Sequence, residues 1–350
     1  MPDESLKTYQ EVMDYLKSKK NRKINLLFGN GFSMGYDPQI FSYNALSEFV
    51  KKCKDATILK LFRIVGSTNF ELIMRILDLF VEFGEEFAPA ANLKEVIIPA
   101  KEKLKGNLLE SITGLHPEHV FKVPEEKSRS CALFLKDFLD SKGSIFSTNY
   151  DLLLYWILMR ESAIFGDNMR DGFSRGDDPV LTWSSGTQNI YYLHGSLPLF
   201  DCSGTVIKEE YDDQNFLLGN IKKRIDNDQY PVFVTAGTAQ EKMEMISHNR
   251  YLSYCYESLS NLNDSLVVIG FNFGKYDTHI IDAINQAAQK RKGHSGCLCS
   301  IFIGYYTEED RKHLIEISPQ FKIPQEKIRI FDVKTANIWN KNEDMRESNV

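Results

Sequence analysis

The sequence lacks the features that would assign it at once to several well-marked classes of protein. It contains no run of about 18 apolar residues, so no membrane-spanning segment is predicted. Residues 1–7 are polar and lack the apolar core of a signal peptide. The six cysteines form no Cys-x-x-Cys pair, so no zinc ribbon is expected. We therefore expect a cytoplasmic protein without a metal site or a membrane partner.

An excess of positive charge is also lacking. The chain has 42 basic and 48 acidic residues, a net charge of −6, which argues against a nucleic-acid-binding surface. No Gly-Lys-Ser/Thr is present, so a P-loop kinase or ATPase is not expected. With 350 residues, 43% of them hydrophobic, the chain can still bury a sizeable core. The polar residues 341–350 are expected to form a flexible tail.

A glycine-rich turn after the first predicted strand is the most informative stretch. Residues 24–28 form a short apolar run that ends at Gly29-Asn30-Gly31-Phe32-Ser33, as a buried parallel strand does when it enters a tight turn. Glycines let the backbone approach a ligand closely, and the N–H groups of such a turn suit phosphate oxygens. A plain tight turn is the alternative, because a Gly-x-Gly turn alone is weak evidence. The spacing is not the dehydrogenase fingerprint, whose third glycine would stand at the position of Met34.

The order of strand-like and helical patterns predicts an α/β protein. Helical patterns fill residues from about 44 to 140, and short apolar runs then alternate with helices, which indicates a Rossmann-like, doubly wound parallel sheet. Residues 165–185, rich in Gly, Asp and Ser, are predicted to form a long loop over the site. Further strands are predicted at 144–147, 190–193, 231–235, 265–269, 298–303 and 328–331, and helices at 6–16, 45–52, 70–80, 93–112, 130–139, 152–159, 240–262 and 278–290.

Polar residues follow three of these strands. Ligands of such sheets bind beyond the carboxyl ends of the strands, so these residues and the glycine turn would share one edge. Taken singly, each could be only a turn or helix-cap residue. The three stretches are Thr148-Asn149-Tyr150-Asp151, His194-Gly195, and Gly270-Phe271-Asn272 with Asp277.

These motifs, in this order, resemble those of the sirtuin family. The glycine turn, Thr148–Asp151 and His194-Gly195 look like the sirtuin motifs Gly-Ala-Gly-x-Ser, Thr-Gln-Asn-Ile-Asp and His-Gly. The segment from Gly270 to Asp277 resembles a late glycine turn of bacterial sirtuin-like proteins. The sirtuin zinc module is missing and Tyr150 replaces the usual Ile, as in the bacterial branch that hydrolyses NAD+ in antiphage defence.

The resemblance implies a single sirtuin-like NAD-binding domain over residues 1–340, with a helical insertion at about 44–140, and NAD+ as the substrate. Asn149 would orient a water or a ribose hydroxyl, and His194 would accept a proton. Asp151 would orient nearby groups or favour the positive charge that develops on the ribose. The residues expected to bind NAD+ are Gly29, Asn30, Gly31, Phe32, Ser33, Thr148, Gly270, Asn272 and Asp277.

Two other functions remain open at this point. The chain could bind NAD+ or ADP-ribose as a sensor or scaffold without doing chemistry. Protein deacylation is a minor alternative, because the missing zinc module forms part of the acyl-lysine groove of sirtuins. An unregulated NAD+ hydrolase would kill its host. We therefore expect a homo-oligomer, a dimer or tetramer, and an activating partner protein or infection-derived trigger.

Overall fold

The structure, a computed structural model, describes residues 2, 5–38, 56–65, 70–87, 93–115, 119–176, 180–212, 214–234, 238–289 and 297–340. The predicted helix 45–52 and the predicted tail 341–350 lie outside these residues. The described strands are β1 (Ile24–Phe28), β2 (Ile145–Ser147), β3 (Phe173–Arg175), β4 (Leu181–Trp183), β5 (Ile190–Tyr192), β6 (Gly195–Cys202), β7 (Thr205–Lys208), β8 (Pro231–Phe233), β9 (Asp264–Ile269), β10 (Leu298–Tyr305) and β11 (Ile328–Asp332).

Helices surround these strands. Those of the described residues are α1 (Tyr9–Lys17), α2 (Asn30–Tyr36), α3 (Ala56–Val65), α4 (Phe70–Phe87), α5 (Leu93–Leu115), α6 (Glu125–Asp140), α7 (Leu153–Arg160), α8 (Ser162–Phe165), α9 (Leu217–Asp226), α10 (Ala239–His248), α11 (Arg250–Ser260), α12 (Thr278–Ala288) and α13 (Glu308–Ile317). Short 3-10 helices lie at Val120–Lys122, Gly166–Asn168, Ser318–Gln320, Gln325–Lys327 and Val333–Ala336.

A six-stranded parallel sheet flanked by helices forms the centre of the molecule. Its strand order is β11-β10-β9-β1-β2-β5. Numbered by their order in the chain and read from the β5 edge, the strands run 3-2-1-4-5-6, which is compatible with a Rossmann-like fold. In such a sheet the chain reverses its direction of winding between the first and fourth strands, here β1 and β9, and a ligand crevice forms at their carboxyl ends.

The central strand β1 explains why its sequence is an uninterrupted apolar run. All five residues are buried, since β2 and β9 pair with its two sides and helices cover both faces. The polar residue inside the run, Asn25, is 2% exposed. Its Nδ2 donates to the carbonyls of Asn263 and Ser265, and its Oδ1 accepts from the N–H of Ser144. This side chain therefore joins β1 to the segments that lead into β9 and β2.

A second, antiparallel sheet was not predicted from the sequence. Its strand order is β3-β4-β7-β6-β8. The prediction of a long loop at 165–185 is wrong, because β3 and β4 lie within it. The prediction that residues 231–235 belong to the parallel sheet is also wrong: β8 pairs with β6, with Gly195 opposite Phe233. Its strand β6 begins at Gly195, shortly after β5 ends at Tyr192, so the first residues of β6 adjoin the end of β5.

The predicted helices that fall on described residues are present with one clear correction, and α9 and α13 were not predicted. The helix predicted over 240–262 is two helices, α10 and α11, because Asn249 between them caps the second. Its side-chain oxygen accepts from the N–H groups of Tyr251 and Leu252, which begins a new helix. The described residues between β1 and β2 hold helices and no strand. Among the described helices, none combines the length and apolar character needed to cross a membrane.

Candidate active site

The two glycine turns at the carboxyl ends of β1 and β9 pack directly against each other. The N–H of Gly31 donates to the carbonyl of Gly270 at 2.9 Å, and that of Gly29 donates to the carbonyl of Ile269 at 3.1 Å. A Cβ on Gly31 would lie 2.6 Å from the Cα of Gly270. Gly270 has φ +61°, and a Cβ on it would lie 2.5 Å from the nitrogen of Phe32. Glycine is therefore required by this close approach, and both N–H groups already have protein acceptors.

The other residues of the first turn, all predicted to bind NAD+, have different surroundings. Phe32 is a core residue, 1% exposed, with its ring 4.2 Å from that of Phe28 and its carbonyl bonded to the indole N–H of Trp339. Its side chain is thus part of the hydrophobic core. Asn30 begins α2, and its buried Nδ2 has no hydrogen-bond partner among the described residues. It is the group of this turn that needs a further acceptor.

Ser33, Asn149 and Asp151 form a buried hydrogen-bonded set that joins α2 to the end of β2. Ser33 Oγ donates to Asp151 Oδ2 at 2.7 Å and accepts from Asn149 Nδ2 at 2.8 Å. Ser33 is fully buried, and the other two are 7% exposed. The second carboxylate oxygen of Asp151 accepts from the N–H of Leu153. Ser33 therefore orients two polar side chains predicted to be catalytic, rather than presenting a free hydroxyl.

The strand register places Asn149 and His194 side by side along the sheet edge. Ser147 of β2 pairs with Tyr192 of β5, and each polar residue follows two positions later. Thr148, which directly precedes Asn149, bonds back to β1, because its N–H and Oγ1 both donate to the carbonyl of Phe28. The carbonyl of His194 accepts from the N–H of Val234, just beyond β8. The two sheets thus meet at this residue.

A second histidine, His279, contacts His194. The Nε2 atoms of the two rings lie 2.9 Å apart, and the ring centroids are 5.1 Å apart. The end of β9 is separated from β5 by β1 and β2, roughly 14 Å at ordinary strand spacing. Residues 270–277 span this distance, so they pass the carboxyl ends of the two intervening strands before α12 begins.

Asp277 and Lys242 form a buried ion pair beside the two histidines. Lys242 Nζ lies 2.6 Å from Asp277 Oδ1, and both residues are about 5% exposed. Among the described residues, His194, Asp277 and His279 hold donor atoms within 4.8 Å of one another, close enough for a metal ion. The Lys242 ammonium group occupies one side of that set, so the arrangement as it stands is an ion pair next to a pair of imidazoles.

Burial keeps both imidazoles neutral. It lowers the pKa of His194 well below its ordinary value, with further lowering by His279 and Lys242. It lowers the pKa of His279 to about 4, although the carboxylate of Asp277 acts in the opposite direction. A neutral imidazole can accept a proton, which is the state that a general base requires.

The structure therefore brings together some predicted residues and adds two that were missed. Ser33, Asn149 and Asp151 are in contact, and Asp277 lies beside His194. Asn272 is exposed, and its carbonyl accepts from His313 Nε2, so its side chain is not part of the cluster. His279 and Lys242 were not predicted from the sequence. Asp277-x-His279 was a usable signal, because Asp277 is the N-cap residue of α12 and His279 lies in its first turn.

The protein is thus an α/β protein with a cluster of polar residues at the carboxyl edge of a parallel sheet, which is compatible with a Rossmann-like fold. The family model described as "Domain of unknown function (DUF4917)" matches residues 26–339. The chain belongs to this family. No curated protein matches it. The matched region spans β1 through the last described residues, and so includes every member of the cluster.

Proposed function

We propose that the chain hydrolyses NAD+ to nicotinamide and ADP-ribose at the carboxyl edge of the parallel sheet. The observation that carries the proposal is the buried set Ser33, Asn149 and Asp151, with His194 on the neighbouring strand. These residues occupy the strand ends that a dinucleotide uses in Rossmann-like sheets. They are also the residues through which the sequence resembles the sirtuin-like NAD+ hydrolases.

The roles follow from what each side chain can do. Nicotinamide leaves as a neutral molecule, so the difficult step is the positive charge that develops on the ribose. Asn149 is anchored through Nδ2, and among the described residues its Oδ1 takes part in no hydrogen bond, so Oδ1 can receive a ribose hydroxyl or the attacking water. The Asp151 carboxylate favours the positive charge. Neutral His194 accepts the proton that the hydroxyl or water releases.

The proposal includes binding of the pyrophosphate by the glycine turn, but through the side chain of Asn30 and not through the glycine N–H groups. The N–H groups of Gly29 and Gly31 are bonded to carbonyls at the end of β9. Asn30 Nδ2, buried without a partner among the described residues, is the donor of the turn that we assign to a phosphate oxygen. Asp277 and the backbone at Gly270 and Thr148 line the same edge, and contacts from them to the riboses remain predictions.

The test is release of nicotinamide from NAD+ by the purified chain, followed by chromatography, with and without lysate from phage-infected cells. Asn149→Ala and His194→Ala are each expected to reduce turnover about 100-fold or more. Asn261→Ala is the matched control, because this exposed asparagine precedes β9 at the opposite edge of the sheet. Equal turnover in wild type and both site variants would remove these residues from the mechanism. Acetyl-ADP-ribose formed from an acetylated peptide would indicate deacylation instead.

The same proposal includes control of activity by assembly, in which the partner is a second copy of the chain. The proposed location is the cytoplasm, where NAD+ would be consumed. An exposed apolar side of α4 supports it: Phe80, Phe83 and Phe87 are 48%, 57% and 77% exposed. Exposed aromatic groups at helical spacing are typical of contacts between proteins. Light scattering is expected to show a dimer or tetramer, and Phe83→Glu should weaken the association between the copies. A monomer at every concentration with full activity would contradict gating by assembly.

The second candidate, a silent binder of NAD+ or ADP-ribose, is favoured by two observations. Nε2 of His194 is held by His279, and the glycine N–H groups have protein acceptors. Calorimetry separates the two functions: tight NAD+ binding without nicotinamide under any activating condition would select the silent binder.

A further inference from the structure

The contact between His194 and His279 determines which nitrogen of each ring carries a proton. Two neutral imidazoles with Nε2 atoms 2.9 Å apart form one hydrogen bond, so one Nε2 donates and the other accepts. The other nitrogen of His279, Nδ1, decides which one donates, because a proton there would have no acceptor among the described residues.

The tautomers of both rings follow from this. Neutral His194 has its single proton on Nδ1, so its Nε2 holds the lone pair and accepts. The proton of His279 is therefore on Nε2, and its Nδ1 is an acceptor. This Nδ1 is buried and has no partner among the described residues. An unpaired acceptor is the milder outcome, because the opposite arrangement would leave a buried N–H unpaired.

We propose that His279 is a positioning residue, which holds His194 with its lone pair on Nε2 before any substrate is present. The Lys242–Asp277 ion pair fixes the start of α12, from which His279 projects. The substrate hydroxyl or water would then take the place of the His279 N–H at this lone pair. The use of the lone pair as a base rests on the proposed NAD+ hydrolysis, whereas the assignment of the tautomers does not.

The tautomer is tested first, on the full chain without NAD+. Selectively ¹⁵N-labelled histidine reports by NMR which ring nitrogen carries the proton, and the seven histidines are assigned by substitution. His279→Gln keeps an N–H donor, whereas His279→Leu removes it. Wild type and His279→Gln are expected to show His194 with a bare Nε2, and His279→Leu a mixture of tautomers. An unchanged His194 signal in His279→Leu would overturn the proposal. His248→Gln, at the exposed end of α10, is the matched control.

Turnover of NAD+ then separates positioning from other roles. His279→Leu is expected to lower kcat about tenfold with KM within about twofold, and His279→Gln to stay within about twofold of wild type. Faster turnover in His279→Leu would show that the contact blocks His194, and would overturn the proposal. Stoichiometric Zn²⁺ binding by wild type that both variants lose would make the cluster a metal site, and would overturn it also. If wild type releases no nicotinamide under any condition, the proposed function fails, and the NMR measurement still decides the role of His279.

Discussion

The contact between the two glycine turns predicts a specific order of stability among three glycine variants. Gly270→Ala meets two penalties, because φ is +61° and the new Cβ would lie 2.5 Å from the nitrogen of Phe32. The left-handed backbone costs about 1–2 kcal/mol and the overlap about 1–3 kcal/mol, so a loss of about 2–5 kcal/mol is expected. Gly31→Ala meets only the overlap, with the Cα of Gly270 at 2.6 Å, and should lose about 1–3 kcal/mol.

Urea unfolding of the purified variants measures these differences, with Gly186→Ala as the control. Nothing lies within 4 Å of a Cβ at Gly186, so the free energy of unfolding should change by less than about 0.5 kcal/mol. The overlapping atoms are backbone, which cannot move aside as a flexible side chain does. A Gly270→Ala protein as stable as Gly186→Ala would refute the close packing of the two glycine turns at the ends of β1 and β9.

Three further predictions concern the cluster itself. Burial lowers the pKa of His279 to about 4. Between about pH 6.5 and pH 4 the unfolded chain therefore binds a proton at this histidine that the folded chain does not, so the free energy of unfolding should fall as pH drops, by about 2 kcal/mol at about pH 5. His279→Gln should remove this part of the pH dependence, as measured by urea unfolding. Ser33→Ala should cost about 1–3 kcal/mol, since Asn149 and Asp151 each lose a buried partner, and a cost below that of an exposed serine such as Ser174→Ala would contradict the geometry. Lys242→Met should cost about 3–5 kcal/mol by leaving Asp277 buried and unpaired, and adding Asp277→Asn should restore most of it; no recovery in the double variant would show that the ion pair is not the cause.

The parallel sheet was largely predictable because its strands are short apolar runs. The predicted range 24–28 coincides with β1, and the runs at 265–269 and 328–331 differ from β9 and β11 by one residue. The antiparallel sheet was not predictable in the same way. Leu181-Thr182-Trp183, for example, lies in a segment whose Gly, Asp and Ser content is typical of loops. Phe173 and Trp183 belong to it because they pair with each other, which no local pattern records.

The site was predictable as far as strand ends determine it. Asn149 and His194 follow paired strands, so the topology alone places them near each other. The bonds from Ser33 to Asp151 and from His194 to His279 join residues more than 80 positions apart. The contact between the two histidines depends on how residues 270–277 cross the sheet edge, and a sequence of length 350 offers many equally plausible partners for a buried histidine.

The wide spacing of the cluster along the chain has a consequence for its biosynthesis. Ser33, Asn149, His194 and His279 come from four separate stretches, and the last of them lies far towards the carboxyl terminus. Domains fold as their residues emerge from the ribosome. A nascent chain that ends before β9 lacks three of the six strands of the parallel sheet, including the strand that pairs with β1. The sheet edge that holds these groups is therefore completed only late in translation, and under the proposed chemistry a ribosome stalled midway through this message releases an inert fragment rather than a toxic one.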